Sequence, residues 1–213
     1  QEDGSIRIAA SDGSAVANMF VTAVDGIVYY ADAQGVAARN QIVTAGGQRY
    51  FAKQNGAIAR NEFCHTRKGS LIYAQEDGTL ASNRVVTSNG KKYYAKGNCA
   101  LARDGFFVTK KGSLIYALAS GELYTGQTFR AAGKLYYAKP SGALARDGFY
   151  NTVSGDKIYA APSGALKAQK LFRVKGKLFY ADKKGRVLKN SWVSVGRKQY
   201  YCSKAYKVTK TKK

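Results

Sequence analysis

Histidine, methionine and tryptophan each occur once in this 213-residue chain, proline twice and cysteine three times. Catalysis requires convergent polar groups at fixed distances, and His65 with thirteen acids scattered mostly near turns offers little to converge. Cys64 adjoins His65, but neighbouring strand residues point to opposite faces, which argues against a nucleophile–base dyad. Asp104 and Asp147 fall at equivalent positions two repeat units apart, unlike the facing carboxylates of glycoside hydrolysis. Phosphate-cradling GxxxxGK and calcium-loop motifs are missing too. We therefore expect no enzyme, no catalytic residues, no cofactor and no metal. The cysteines replace ordinary repeat residues singly: Cys64 stands where related units have Phe107 and Tyr150, Cys99 where they have a turn glycine such as Gly56 or Gly142, and Cys202 where they have alanine. An odd number without metal-like spacing predicts free thiols. No run of 18 apolar residues is present, which predicts no membrane span. Gln1 opens inside a degenerate repeat over 5–10, so a leader and further domains are expected upstream.

Acids are the other shortage. Thirty-five Lys and Arg against thirteen Asp and Glu give a formal charge of +22. Residues 1–60 balance at five of each, whereas 166–213 carry sixteen bases against Asp182. An imbalance this one-sided concentrates polyanions and speeds encounter with them. The last seven residues, 207–213, read as a mobile basic tail.

What the chain has in abundance is aromatic–alanine pairs: Tyr30-Ala31, Phe51-Ala52, Tyr73-Ala74, Tyr94-Ala95, Tyr116-Ala117, Tyr137-Ala138, Tyr159-Ala160 and Tyr180-Ala181, 21 or 22 residues apart. A period near 20 marks a solenoid whose units bury their apolar faces by stacking. Within each unit an apolar run, a glycine-bearing turn, a β-rich run and a second glycine turn make a β-hairpin. The first turns are Asp25-Gly26, Gly46-Gly47, Lys68-Gly69, Asn89-Gly90 and their successors to Val195-Gly196. The residue before the anchor aromatic alternates as Tyr50, Ile72, Tyr93, Ile115, Tyr136, Ile158 and Phe179, which predicts two environments and a true repeat of two hairpins. The expectation is all-β: an elongated solenoid of nine to ten stacked hairpins forming one module, with double repeats 15–57, 58–100, 101–143 and 144–186, a terminal unit 187–206 and the tail.

Binding candidates follow from this repetition. Arg39, Arg60, Arg103 and Arg146 recur beside Asn40, Asn61, Asp104 and Asp147. They are either fixtures of the hairpin link or a row of planar forks for oxyanions, with Arg103 and Arg146 the candidates. The anchor tyrosines read as core, whereas their predecessors, among them Tyr93, Tyr136 and Tyr200, read as sugar-stacking platforms.

The unit Gly133-Lys134-Leu135-Tyr136-Tyr137-Ala138-Lys139-Pro140-Ser141-Gly142-Ala143-Leu144, and the final unit opening at Asn190-Ser191-Trp192, resemble the cell-wall-binding repeat. That repeat is shared by choline-binding proteins, glucan-binding proteins and the receptor-binding ends of large clostridial toxins. The resemblance spans essentially the whole chain and implies ligand sites between consecutive hairpins, with choline caged by Trp and Tyr. One Trp position of that cage is filled here by Val28, Arg49, Lys92, Leu135, Leu178 and Gln199, and the other is Trp only at Trp192. That departure, with the cationic surface, points away from choline. The implied function is a non-catalytic, extracellular binding module of a Gram-positive type bacterium, anchoring its parent protein to an anionic wall polymer such as teichoic acid. A host-glycan-binding adhesin or toxin region and a structural stalk are the alternatives. Nucleic acid is disfavoured because no reading motif accompanies the charge.

Overall fold

The computed structural model describes residues 5–10 and 12–212 and holds strands, bridges and turns there. It has no helix among them, and so none long and apolar enough to cross a membrane. The chain divides into two compact units, Gln1–Arg103 and Asp104–Lys213, and the boundary falls at the opening of the third double repeat. Unit 1 contains the antiparallel hairpins β1 (Met19–Thr22) with β2 (Val28–Ala31), β3 (Gln41–Ala45) with β4 (Gln48–Ala52), β5 (Glu62–His65) with β6 (Leu71–Ala74), and β7 (Arg84–Ser88) with β8 (Lys91–Ala95). Unit 2 contains β9 (Gly105–Val108) with β10 (Leu114–Ala117), β11 (Gln127–Ala131) with β12 (Lys134–Ala138), β13 (Gly148–Asn151) with β14 (Lys157–Ala160), and β15 (Lys170–Val174) with β16 (Lys177–Ala181). Its last sheet has three strands, β17 (Ser191–Val195), β18 (Lys198–Cys202) and β19 (Val208–Lys212).

Two kinds of hairpin alternate from β1 to β16, for reasons visible in their turns, and β17–β18 repeats the kind of β15–β16. In β3–β4, Ala45 pairs with Gln48, leaving Gly46-Gly47 as a two-residue turn with φ of 55° and 73°. Two successive left-handed residues match the strand twist, and glycine adopts them without a Cβ penalty. In β5–β6 the strands are one residue shorter and a wider turn closes through Thr66 N to Ser70 O at 2.9 Å and Gly69 N to Thr66 O at 2.8 Å. In the last hairpin Val195 pairs with Lys198, so the turn is Gly196-Arg197, one residue later than the expected Val195-Gly196.

The alanine of each aromatic–alanine pair is where the chain has no room. Ala31, Ala52, Ala74, Ala95, Ala117, Ala138, Ala160 and Ala181 are all 0% exposed, as is Cys202 at the ninth position. After most hairpins the chain turns through a second glycine, and the next apolar residue donates back to the second strand of the preceding hairpin. Ile58 N reaches Val28 O at 2.8 Å and Leu80 N reaches Arg49 O at 2.7 Å in unit 1. Leu144 N to Leu114 O and Leu166 N to Leu135 O, both 2.7 Å, repeat this in unit 2. These bonds stack the hairpins within each unit. The residue just before each first strand is left-handed, with φ of 47° at Asn40, 48° at Asn61, 54° at Asp104 and 51° at Asp147. Asn and Asp tolerate that conformation best among residues with a side chain, so these two acids serve the link.

The alternation of predecessors corresponds to separate cores. Ile72 packs with Phe51, Cys64, Leu80 and Cys99, whereas Tyr93 packs with Tyr73, Val86, Leu101 and Phe63. In unit 2, Ile158 lies with Leu135, Tyr137 and Leu166, and Tyr136 with Phe129, Leu144 and Tyr116.

Residues 208–212 are not a mobile tail. Val208–Lys212 is strand β19, paired along β18 from Gln199↔Lys212 to Cys202↔Val208. The β-branched Val208, Thr209 and Thr211 suit a pleated edge, and edge strands commonly carry lysines.

All three thiols are free and buried. Burial, followed by the charge of Glu62, pushes the Cys64 thiol up to about 11, and burial also raises Cys202. Because the thiolate is the reactive form, Ellman's reagent at pH 8 is expected to find almost no fast-reacting thiol in the native protein and three after denaturation. A stoichiometric fast phase from the native fold would contradict this burial.

Candidate binding clefts

Whether space remains between two stacked hairpins depends on the side chain opposite the anchor ring. In the wider-turn hairpins that residue is Phe20, Phe63, Phe106 or Phe149, and its ring bridges two neighbours. Phe63 lies 4.9 Å from Tyr73 and 4.7 Å from Tyr93, and Phe106 lies 4.8 Å from Tyr116 and 4.9 Å from Tyr136. In the two-residue-turn hairpins β3–β4 and β11–β12 the residues opposite the anchors are Ile42 and Thr128, and the next predecessors are Ile72 and Ile158. Neither pair reaches across, and a cleft stays open.

Such a cleft lies in each unit. The first, about 380 Å³, is lined by Asn40, Gln41, Ile42, Phe51, Thr66, Arg67, Lys68, Ser70, Ile72, Asn98 and Ala100. The second, about 460 Å³, is lined by Gly126, Gln127, Thr128, Tyr137, Thr152, Val153, Ser154, Asp156, Ile158, Lys184 and Arg186. Gln41 and Gln127, Thr66 and Thr152, and Ile72 and Ile158 all stand 86 residues apart, two double repeats. The clefts are one site built twice. Each has an apolar floor from an isoleucine and an anchor ring, with amides, hydroxyls and bases on its rim.

Turn hydrogen bonds fix part of that rim. Thr66 Oγ1 accepts from Ser70 N at 3.2 Å, Thr152 Oγ1 accepts from Asp156 N at 3.1 Å, and Tyr137 Oη accepts from Val153 N at 3.1 Å. Arg186 donates through Nε to Asp182 Oδ2 at 2.8 Å. That hydrogen bond first, then the carboxylate's charge, raises the guanidinium's pKa above its ordinary value. The basic character differs between the copies: Asn98 and Ala100 of unit 1 become Lys184 and Arg186 in unit 2.

The residues singled out in the sequence fall elsewhere, and none lines these clefts. Tyr93 and Tyr136 are only 8% and 6% exposed, with their rings packed on Phe63 and Phe106. Arg146 is exposed, and its Nε donates to Pro162 O at 2.7 Å, as Arg39 Nε does to Gln54 O at 2.8 Å. Arg39 and Arg146 thus each tie a hairpin link to the second turn that follows that hairpin. Arg103 is exposed at the end of unit 1. Trp192 is 41% exposed, 5.3 Å from Tyr201, with Lys212 Nζ 4.6 Å from its ring centroid. Tyr200 pairs with Val193, the neighbour of Trp192, which puts those two rings on opposite sheet faces. The six are not drawn into one constellation. The cleft signal lay in the residue opposite the anchor, where Phe20, Phe63, Phe106 and Phe149 alternate with Ile42, Val85, Thr128 and Leu171.

Hairpins of about 21 residues, joined by links that hydrogen-bond back to the preceding hairpin, define an all-β repeat protein of the stacked-hairpin type. Its fold is that of the choline-binding repeat proteins. The modular autolysin LytC from Streptococcus pneumoniae aligns over 96% of this chain with a TM-score of 0.67 at 18% identity. The choline-binding domain of CbpL from Streptococcus pneumoniae aligns over 92% with a TM-score of 0.63 at 22% identity, and choline binding protein F from the same organism over 86% with 0.65 at 22%. The chain spans 45% of the autolysin's length, 61% of protein F and 98% of the CbpL domain. No family model and no curated protein matches the sequence.

Proposed function

We propose that the chain is a non-catalytic, extracellular module that attaches its parent protein to an anionic polymer of a bacterial cell surface, teichoic acid or a similar wall glycan. The observation that carries this reading is the recurrence of one cleft at two-double-repeat spacing in a chain whose charge is +22. A repeated site suits a repeating ligand, since sites bound by one polymer gain avidity beyond any single affinity. In this reading the double repeats act as one module. The fold is shared with proteins named for choline, but a quaternary ammonium needs an aromatic cage. Here the sole Trp already carries the Lys212 ammonium, and the surface repels cations.

The test is cosedimentation with Gram-positive cell walls, with and without their anionic polymers, across a salt series. Binding lost on stripping the polymer and weakened by salt is the expected result. Retention on stripped walls in high salt would replace this reading with neutral-sugar binding, which the amide and hydroxyl rim of the unit 1 cleft would serve.

A further inference from the structure

The last hairpin junction of unit 2 carries two replacements that meet each other, as Arg49 and Cys99 do in unit 1, where Arg49 Nη1 donates to Cys99 Sγ at 3.6 Å. In the equivalent junction two hairpins earlier, Gly164 turns the chain at φ 87°, and a Cβ added there would meet Leu114 Cδ2 at 3.3 Å. At the last junction the glycine's place belongs to Tyr206, at φ 65°, and its N donates to Ser203 O at 2.9 Å just as Gly164 N donates to Ala161 O at 2.8 Å. Leu114's place belongs to Lys157, whose Nζ lies 4.8 Å from the Tyr206 ring centroid. Lys189 Nζ lies 5.4 Å from the same centroid. A bulky residue in left-handed backbone is unfavourable, and such outliers cluster at functional sites.

Tyr206 and Lys157 are shared by two cavities. One, of about 240 Å³, has Phe149 and Phe179 in its walls and Lys157, Lys175, Lys177 and Lys207 around it. The other, of about 230 Å³, holds Lys157, Lys189 and Arg186 with a single carboxylate, Asp156. Every cation of the larger cavity is a lysine. Ammonium groups act as point charges on flexible stems and bind phosphate-type oxyanions without a fixed fork, and the Arg186 guanidinium of the smaller cavity offers a planar fork that phosphate also accepts. The Tyr206 ring holds two of the ammoniums by cation–π attraction.

We infer that the Tyr206 junction is a two-compartment site for tetrahedral oxyanions, taking successive phosphate or sulfate groups of one polymer chain in the cavities that share Tyr206. This rests on the reading of the chain as an anionic-polymer binder and names the group recognised. The experiment is calorimetric titration of the full chain with tripolyphosphate and, separately, with a sulfated disaccharide. Saturable binding of one or both is expected, and the tighter arm identifies phosphate or sulfate. The double variant Lys157→Ala, Lys177→Ala should weaken it at least tenfold. Lys183→Ala with Lys198→Ala, which removes equal charge outside both cavities, should change it less than threefold. Tyr206→Gly, restoring the repeat's own residue, should also weaken it at least tenfold while the protein stays folded by circular dichroism. Equal losses in the two lysine pairs would overturn the site in favour of diffuse attraction. Absence of binding in both arms, with wall cosedimentation intact, would overturn it while leaving the polymer reading standing. Loss of wall cosedimentation would remove that reading itself.

Discussion

Replacing Ile158 by alanine is expected to destabilise unit 2 by about 2–5 kcal/mol, the usual range for truncating a buried isoleucine. Ile158 is 0% exposed and lies in the cluster with Leu135, Tyr137 and Leu166. A domain's net stability is only about 5–15 kcal/mol, so this one change removes a large share of it. Ile72→Ala is the twin experiment in unit 1, where Ile72 is 1% exposed among Phe51, Cys64 and Leu80. Urea unfolding followed by tyrosine fluorescence and far-ultraviolet circular dichroism measures both. A loss below about 1 kcal/mol at either site would mean that the isoleucine floor collapses without penalty, contrary to close packing around a β-branched side chain.

Neutralising six exposed bases of unit 2 that line none of the cavities described above, Lys134, Lys170, Lys183, Arg197, Lys198 and Lys204, by glutamine is expected to weaken wall binding about 30-fold or more at low ionic strength. Exposed ion pairs contribute roughly 0.2–1 kcal/mol each, so six contacts at the lower-middle of that range give about 2 kcal/mol or more, and 1.4 kcal/mol is tenfold. The formal charge falls from +22 to +16. A polymer draped over the surface meets many of these groups, whereas a small anion in one cavity is screened from most of them. The variant should also show a flatter dependence of affinity on salt, because fewer counterions are exchanged. Unchanged binding would mean that the positive surface is incidental and that cleft contacts alone hold the ligand.

Much of this architecture was readable in the sequence because the repeat is strict where sterics are strict. The 0% exposure of every anchor alanine leaves no alternative residue except Cys202, so the aromatic–alanine pair announces each hairpin. The Tyr/Ile alternation was legible as two environments, and Ile72 and Tyr93 do pack in different clusters. What could not be read was which environment stays open. Tyr93 and Tyr136 look like platforms until Phe63 and Phe106, 30 residues earlier, are seen to meet them. Cleft volume depends on such pairs, and neither partner shows it alone. The strand β19 was hidden by its lysines, whose charge resembles a solvated tail although Val208, Thr209 and Thr211 carry the β signal. Tyr206 was hidden differently: the sequence shows a missing glycine, but only the backbone shows that the left-handed turn persists without it.

The pairing of unlike hairpins constrains how such a chain can lengthen. Adding or losing one hairpin would set two junctions of the same kind side by side, bringing a phenylalanine of the Phe63 type toward an isoleucine of the Ile72 type instead of a tyrosine. A step of 43 residues instead keeps the Phe63–Tyr93 contact in register, as Phe106–Tyr136 shows, and the open cleft beside Ile72 returns after two such steps beside Ile158. Lengthening in steps of two hairpins therefore preserves the ring packing between neighbours while leaving single positions such as 157 and 206 free to differ.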